Sequence, residues 1–99
     1  MNNVLNTLGL CKRANKLISG EEIVLNRVKL NKVYIVFLAS DAGKNTTKRM
    51  TDKTTYYKIR LVNQFSTDEL NKAIGTENRK VLAITDRNFT NLIIKKLDI

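Results

Sequence analysis

An α/β fold, a three-layer α/β/α sandwich around a four-stranded, mostly mixed sheet, is predicted by three observations. The first, second and last of five expected helices carry apolar residues at helical spacing, four short segments between the helices carry strand patterning, and capping or helix-ending residues mark the joints. Helices alternating with strands favour right-handed crossovers and helices on both faces of the sheet.

Asn2 or Asn3 can cap a first helix whose Val4, Leu8 and Cys11 share a stripe and which ends before Lys12, Arg13 and Lys16. Leu17 and Ile18 make a brief strand. Ser19 and Glu22 form an S-x-x-E capping box, so a second helix is expected to open at Gly20 and run to about Leu30. At 100° per residue its Val24, Leu25 and Val28 share one side, and Glu22, Asn26 and Lys29 the other. Val33 to Ala39 is almost uninterrupted apolar sequence, as a mid-sheet strand covered on both faces requires. Asn45 is expected to cap a third helix through about Tyr56. Ile59 to Val62 alternates like a less buried strand. Ser66 with Glu69 is a second capping box, opening a short helix that Gly75 ends in a left-handed conformation. Val81 to Ile84 is the last strand, and Asp86 caps a final helix carrying Phe89, Leu92, Ile93 and Leu97.

With 99 residues, 42% of them apolar, one domain over residues 1–99 is expected, burying somewhat over about 60% of its unfolded surface. The one cysteine, Cys11, excludes an internal disulfide and reads as a buried thiol on the first helix. The absence of histidine removes the usual general base and the commonest metal ligand. No cofactor and no metal site is expected.

Charge decides the class of partner. Eighteen Lys and Arg against nine Asp and Glu give a net +9, a field that attracts polyanions, nucleic acid first. A membrane partner is not expected, because no stretch of roughly 18 apolar residues is free of charge and no basic amphipathic helix carries an aromatic face. The first residues lack the pattern of a secretory signal, which points to the cytoplasm.

The most informative stretch runs from Lys16 to Asn45. There a helix start, Gly20 onward, is expected to lie close to solvent, where its amide donors attract anions. Lys12, Arg13 and Lys16 are expected nearby as phosphate contacts. Lys44, Lys48, Arg49 and Lys53 have two open readings, phosphate contact or the solvated face of the third helix. Glu21 and Glu22 serve the helix dipole or read bases. Tyr56 and Tyr57 are expected to split between core and rim rather than form a stacking site.

Gly20 opening the second helix, Ala39-Ser40-Asp41-Ala42 after the main strand, and Leu70-x-x-Ala73-x-Gly75 before the last strand resemble the kink-turn RNA-binding superfamily of ribosomal proteins, and most of all its small bacterial YlxQ-like branch. The likeness spans essentially the whole chain and rests on the combination. It implies an α/β/α sandwich and an RNA site made by Gly20, Glu21, Glu22, Ile23 and Asn26 with Gly75, Thr76, Glu77 and Asn78; Lys29 and Lys44 join the site from the charge pattern. Kink-turn binders of the family carry an Asn-Glu pair and a Lys three residues beyond that Glu, where this chain has Glu22, Ile23 and Asn26. A carboxylate at Glu22 accepts from base amino groups but repels phosphate, and Asn26 can donate to a base or a 2′-hydroxyl. RNA binding therefore rests on the surrounding charge, and kink-turn preference on those three positions.

The reading is a non-enzymatic, monomeric binder of structured RNA, ribosomal RNA among the candidates. Contact with ribosomal proteins is a further option. The alternative is an enzyme: Asp41 and Asp86 each follow a strand, and carboxylates at strand ends can hold Mg²⁺ for phosphoryl-transfer or nuclease chemistry. Neither a GxxxxGK[ST] loop nor a GxGxxG fingerprint supports it.

Overall fold

The computed structural model of this chain describes residues 3–97. The elements follow in the order α1 (Asn3–Arg13), β1 (Leu17–Ser19), α2 (Glu21–Lys29), β2 (Ile35–Leu38), α3 (Lys44–Tyr56), β3 (Arg60–Val62), α4 (Thr67–Ile74), β4 (Val81–Ile84) and α5 (Arg87–Leu97). The four strands form a mixed sheet in the order β1-β4-β2-β3. β4 runs antiparallel to both β1 and β2, while β2 and β3 are parallel.

The two central strands are apolar at every position because both faces are covered. Ile35 and Phe37 of β2, with Leu82 and Ile84 of β4, enter one core with Leu8 of α1, Leu70 of α4 and Ile93 of α5. The alternate residues Val36, Leu38, Val81 and Ala83 enter a second core with Val24, Leu25 and Val28 of α2 and Met50 of α3. Side chains of a strand point alternately to opposite faces, so a period of two divides these residues between the two layers of helices. This is the three-layer sandwich the pattern predicts. Phe37 is fully buried and stacks against Phe65 with ring centroids 6.3 Å apart. Its truncation to Ala would cost about 3–5 kcal/mol.

Local signals set several joints. Ser66 Oγ accepts from the Glu69 amide at 3.1 Å, and Glu69 Oε1 accepts from the Ser66 amide at 3.0 Å, the complete box expected at α4. Gly75 ends that helix at φ 72°. Asp86 Oδ2 accepts from the Phe89 amide at 2.8 Å and opens α5. Three expectations need correction. Ser19 does not cap α2: it is the last residue of β1, paired with Leu82, and Gly20 occupies the cap position without a side-chain hydrogen bond. Asn45 does not cap α3, which starts one residue earlier behind Gly43. Leu92 is largely exposed rather than on the packed side of α5, where Ile93 is buried. Of the two proposed caps of α1, Asn2 lies outside the described residues.

The antiparallel pairing gives the sheet two ends that matter below. At the Val81 end, the Gly20 amide donates to the Val81 carbonyl at 2.9 Å and Ala39 to Lys80 at 2.9 Å. At the Ile84 end, the Thr85 amide donates to the Lys16 carbonyl at 2.9 Å and Tyr34 to Ile84 at 3.0 Å.

Candidate nucleic-acid interface

The start of α2 lies at the Val81 end. Gly20 sits at φ 109° and ψ 136°, a backbone open to glycine and strained for other residues. A Cβ there would stand 2.8 Å from Nη1 of Arg79, so the Arg79 guanidinium lies against the helix entry. Glu21 and Glu22 occupy the first turn, where a negative charge suits the helix dipole. They are also tied to α3. Nη1 of Arg49 lies 3.1 Å from Glu21 and 2.9 Å from Glu22, and Thr46 Oγ1 donates to Glu21 at 2.7 Å. Val24, Leu25 and Val28 are buried, leaving Glu22, Asn26 and Lys29 outward as their spacing predicts. Ile23 is 50% exposed beside them, an apolar side chain presented to solvent.

The loop after α4 is held by one side chain. Asn71 is 6% exposed and makes four hydrogen bonds. Its Oδ1 accepts from Thr76 Oγ1 at 2.7 Å and from the Arg79 amide at 2.9 Å. Its Nδ2 donates to the carbonyls of Thr67 at 2.7 Å and Arg79 at 2.8 Å. Both lone-pair sites and both N–H groups of the amide are thereby used. Gly75, Thr76, Glu77 and Asn78, the last at φ 58°, are fixed in a turn that carries Arg79 onto Gly20.

A cleft of about 400 Å³ runs beside this loop, bounded by Asp41, Thr67, Asn71, Thr76, Asn78 and Lys80. Asp41 Oδ1 accepts from the hydroxyl of Thr67 at 2.7 Å and from its amide at 2.8 Å. The hydroxyl bond first, and the amide bond after it, hold the Asp41 carboxyl below its ordinary 3.8. Lys80 Nζ donates to the same hydroxyl at 3.0 Å.

The α2 start, the Gly75 loop and Lys44, the first residue of α3, thus meet at one end of the sheet. Lys12 and Lys16 do not join them, and Arg13 turns along α1 to a cleft shared with Glu69, Lys72 and Ala73 of α4 rather than to Gly20. Lys16 is bonded to Thr85 at the Ile84 end, Lys12 and Arg13 close α1 just before it, and β1 separates Lys16 from Gly20 by roughly 13 Å at the usual rise per residue. The expected ring of cations is instead a mixed-sign surface. Glu21, Glu22, Asp41, Asp68, Glu69 and Glu77 stand at the Val81 end among Lys44, Arg49, Arg79 and Lys80. Asp41 and Asp86 follow strands that run in opposite directions and so lie at opposite ends of the sheet, which removes the shared Mg²⁺ site. Each already holds a neighbouring amide. Tyr57 packs on the α2–α3 core while Tyr56 is exposed, the expected split.

Cys11 is buried, and burial, with the charge of Asp86 behind it, pushes its thiol up from 9.0 to about 11. Sequence reasoning missed Asn71, Arg79 and the Arg49 bridge. A polar residue within a helix gives no sign that a loop eight positions on will close over it.

Residues 2–94 match the family described as the ribosomal protein L7Ae/L30e/S12e/Gadd45 family. The chain belongs to this family. Among relatives, the chain is 42% identical to the RNA-binding protein YlxQ of Bacillus subtilis (strain 168), over 92% of this chain and 91% of that protein. It is also 42% identical to the RNA-binding protein YlxQ of Enterococcus faecium, over 86% of this chain and 82% of that protein. Among solved structures, a protein of unknown function from Bacillus halodurans C superposes with a TM-score of 0.94 at 34% identity, covering 100% of both chains. The 15.5kD RNA binding protein of Giardia lamblia shares the fold, with a TM-score of 0.82 at 18% identity over 95% of this chain and 81% of that one. The L7Ae/L30e/S12e/Gadd45 membership agrees with the resemblance drawn from Gly20, Ala39 to Ala42 and Gly75. Among the described residues no helix is long and apolar enough to cross a membrane.

Proposed function

We propose that this protein is a non-enzymatic binder of folded RNA, acting as a monomer in the cytoplasm, and that Gly20 to Asn26 and Gly75 to Arg79 form its recognition surface. The observation that carries this reading is the pairing of those two segments, with Arg79 laid against Gly20 and the loop held by Asn71. Two rigid segments beside a cleft suit an RNA that presents an irregular backbone, because shape and phosphate contacts can then be read together. The RNA-binding names of the two YlxQ relatives support the same partner.

The chemistry divides along the surface. Lys44, Arg79 and Lys80 supply cations for phosphate oxygens, while Asn26, Asn78 and Glu22 supply polar groups for base edges and 2′-hydroxyls. Exposed Ile23 gives an apolar face for an unstacked base. A kinked duplex, ribosomal RNA among its sources, is the ligand this surface is proposed to prefer.

The experiment is a titration of a kinked duplex, its straightened counterpart and a single strand, each at two salt concentrations. Asn26→Ala and Glu22→Ala should change the ratio of affinities between the kinked and straight duplexes. If both lower every affinity by one common factor, the recognition surface lies elsewhere.

A further inference from the structure

Net charge is not spread evenly over this molecule, and the excess lies away from the surface just described. Of the acidic side chains among the described residues, only Asp52 and Asp86 stand outside the Val81 end, Asp52 paired with Lys48 at 3.0 Å and Asp86 occupied in capping α5. At the Ile84 end the backbone bonds of Thr85 to Lys16 and Tyr34 to Ile84 bring three segments together: the α1–β1 turn, the α2–β2 turn and the start of α5. These carry Lys12, Lys16, Lys29, Lys32 and Arg87, all exposed. None of the four lysines pairs with a carboxylate among the described residues.

An aromatic side chain lies at the same end of the sheet. Tyr34 is 44% exposed, and the guanidinium carbon of Arg87 lies 5.7 Å from its ring centroid. A tyrosine at the mouth of a sheet, with an arginine over it and exposed lysines on the segments joined there, combines planar faces with cations. Phosphates take the lysines, and bases stack on rings and guanidinium planes.

We propose that the Ile84 end is a second nucleic-acid contact, for single-stranded RNA, with Lys16 and Lys32 on the backbone and Tyr34 with Arg87 as the stacking platform. It stands independently of the α2 surface, from which the four residues of β4 separate it by roughly 13 Å at the usual rise per residue. The protein would then hold two RNA segments at once, one folded and one extended. Single strand is favoured over duplex because a paired base offers no face to Tyr34, and over an acidic protein because carboxylates alone would leave the stacking pair unused.

The test is fluorescence anisotropy of a labelled single-stranded oligoadenylate with the full chain, read with no folded RNA present, so that its outcome is separate from that of the α2 surface. The double variant K16E/K32E should bind at least tenfold more weakly, with a slope of log affinity against log salt shallower by about 1.4, two contacts at about 0.7 each. Tyr34→Ala should lose about fivefold or more, and Tyr34→Phe should keep the wild-type affinity. The same charge change in K48E/K95E, away from this end, should cost clearly less. Wild-type affinity in K16E/K32E overturns the proposal, as does an equal loss in K48E/K95E, which would reduce the effect to bulk charge. Unchanged affinity in Tyr34→Ala also overturns it, and leaves a basic face suited to an acidic protein. Thermal melting of each variant confirms that the fold is intact.

Discussion

Arg79 and Gly20 are in contact across the Val81 end of the sheet: Nη1 of Arg79 lies 2.8 Å from where a Cβ on residue 20 would be. Gly20 also donates to Val81 and accepts from Val24, so it joins β4 to the first turn of α2 at φ 109°. Gly20→Ala should therefore lower stability by about 1–3 kcal/mol, the usual strain of such a backbone in a residue with a Cβ. In a domain of this size that lowers Tm by roughly 4–8 °C per kcal/mol. A melt within 1 °C or so of wild type would show that the entry to α2 has another conformation available.

Asn71 is the residue that holds the loop from Gly75 to Arg79, the segment proposed to recognise RNA. Asn71→Ala removes four hydrogen bonds, two of them to Arg79, and leaves the Arg79 and Thr67 carbonyls without that partner. A stability loss of about 2–4 kcal/mol follows from net bond values near 1 kcal/mol each. Amide hydrogen exchange locates the effect: protection at Arg79 should fall while that of β2 amides such as Phe37 follows only the global stability. Affinity for folded RNA should fall with it, since the loop no longer has one conformation.

How much of this could be read from the chain is best seen in its two S-x-x-E sequences. Ser66 and Glu69 form the full box because nothing else claims them at the start of α4. Ser19 and Glu22 have the same spacing, but Ser19 is held in the β1 ladder opposite Leu82, and Glu22 is drawn to Arg49 on α3. Tertiary pairing overrides the local signal there. The strands were legible because burial on both faces leaves a run such as Ile35 to Leu38 with no polar residue. Total charge was legible as well, but its placement was not: Lys16 is only four residues from Gly20 in sequence, yet β1 carries the two to opposite ends of the sheet. The Asn71 staple needs a loop that returns after eight residues, which no periodicity encodes.

Arg49 joins α3 to both first-turn carboxylates of α2, and the pairs are open to solvent, with Arg49 42% exposed, Glu22 70% and Glu21, the more sheltered partner, 27%. Exposed pairs contribute about 0–1 kcal/mol, so Arg49→Ala should leave Tm nearly unchanged. Its effect should appear in binding. Glu21 and Glu22 would then face phosphate without their counter-charge, and affinity for folded RNA should drop more at low salt than at high salt. Anisotropy titrations at two salt concentrations check this, and equal losses at both would mean that Arg49 acts by packing.

Cys11 should resist modification in the folded state. With its thiol raised to about 11, almost no thiolate exists near neutral pH, and the side chain is fully buried. Labelling by a thiol reagent should be slow in buffer and fast in denaturant. The raised value also has a sign for stability: the contribution is fully present below 9.0, where the unfolded thiol is still protonated, and is lost as pH rises through about 11. The stability difference between wild type and Cys11→Ala should change in that window and stay constant from pH 6 to 8.

Asp41 gives the opposite sign. Its carboxylate accepts from the hydroxyl and the amide of Thr67, which joins the loop after β2 to the start of α4, and both bonds favour the ionised form. A carboxyl held below its ordinary 3.8 contributes stability that is present above that value and is lost as pH falls through its value in the fold. Asp41→Ala should therefore be less stable than wild type at neutral pH, and the two should converge in acid. Urea denaturation of both proteins at a series of pH values measures the gap. A gap that stays constant into acid would mean that the contact is made equally well by the neutral carboxyl, and that Asp41 positions α4 by shape rather than by charge.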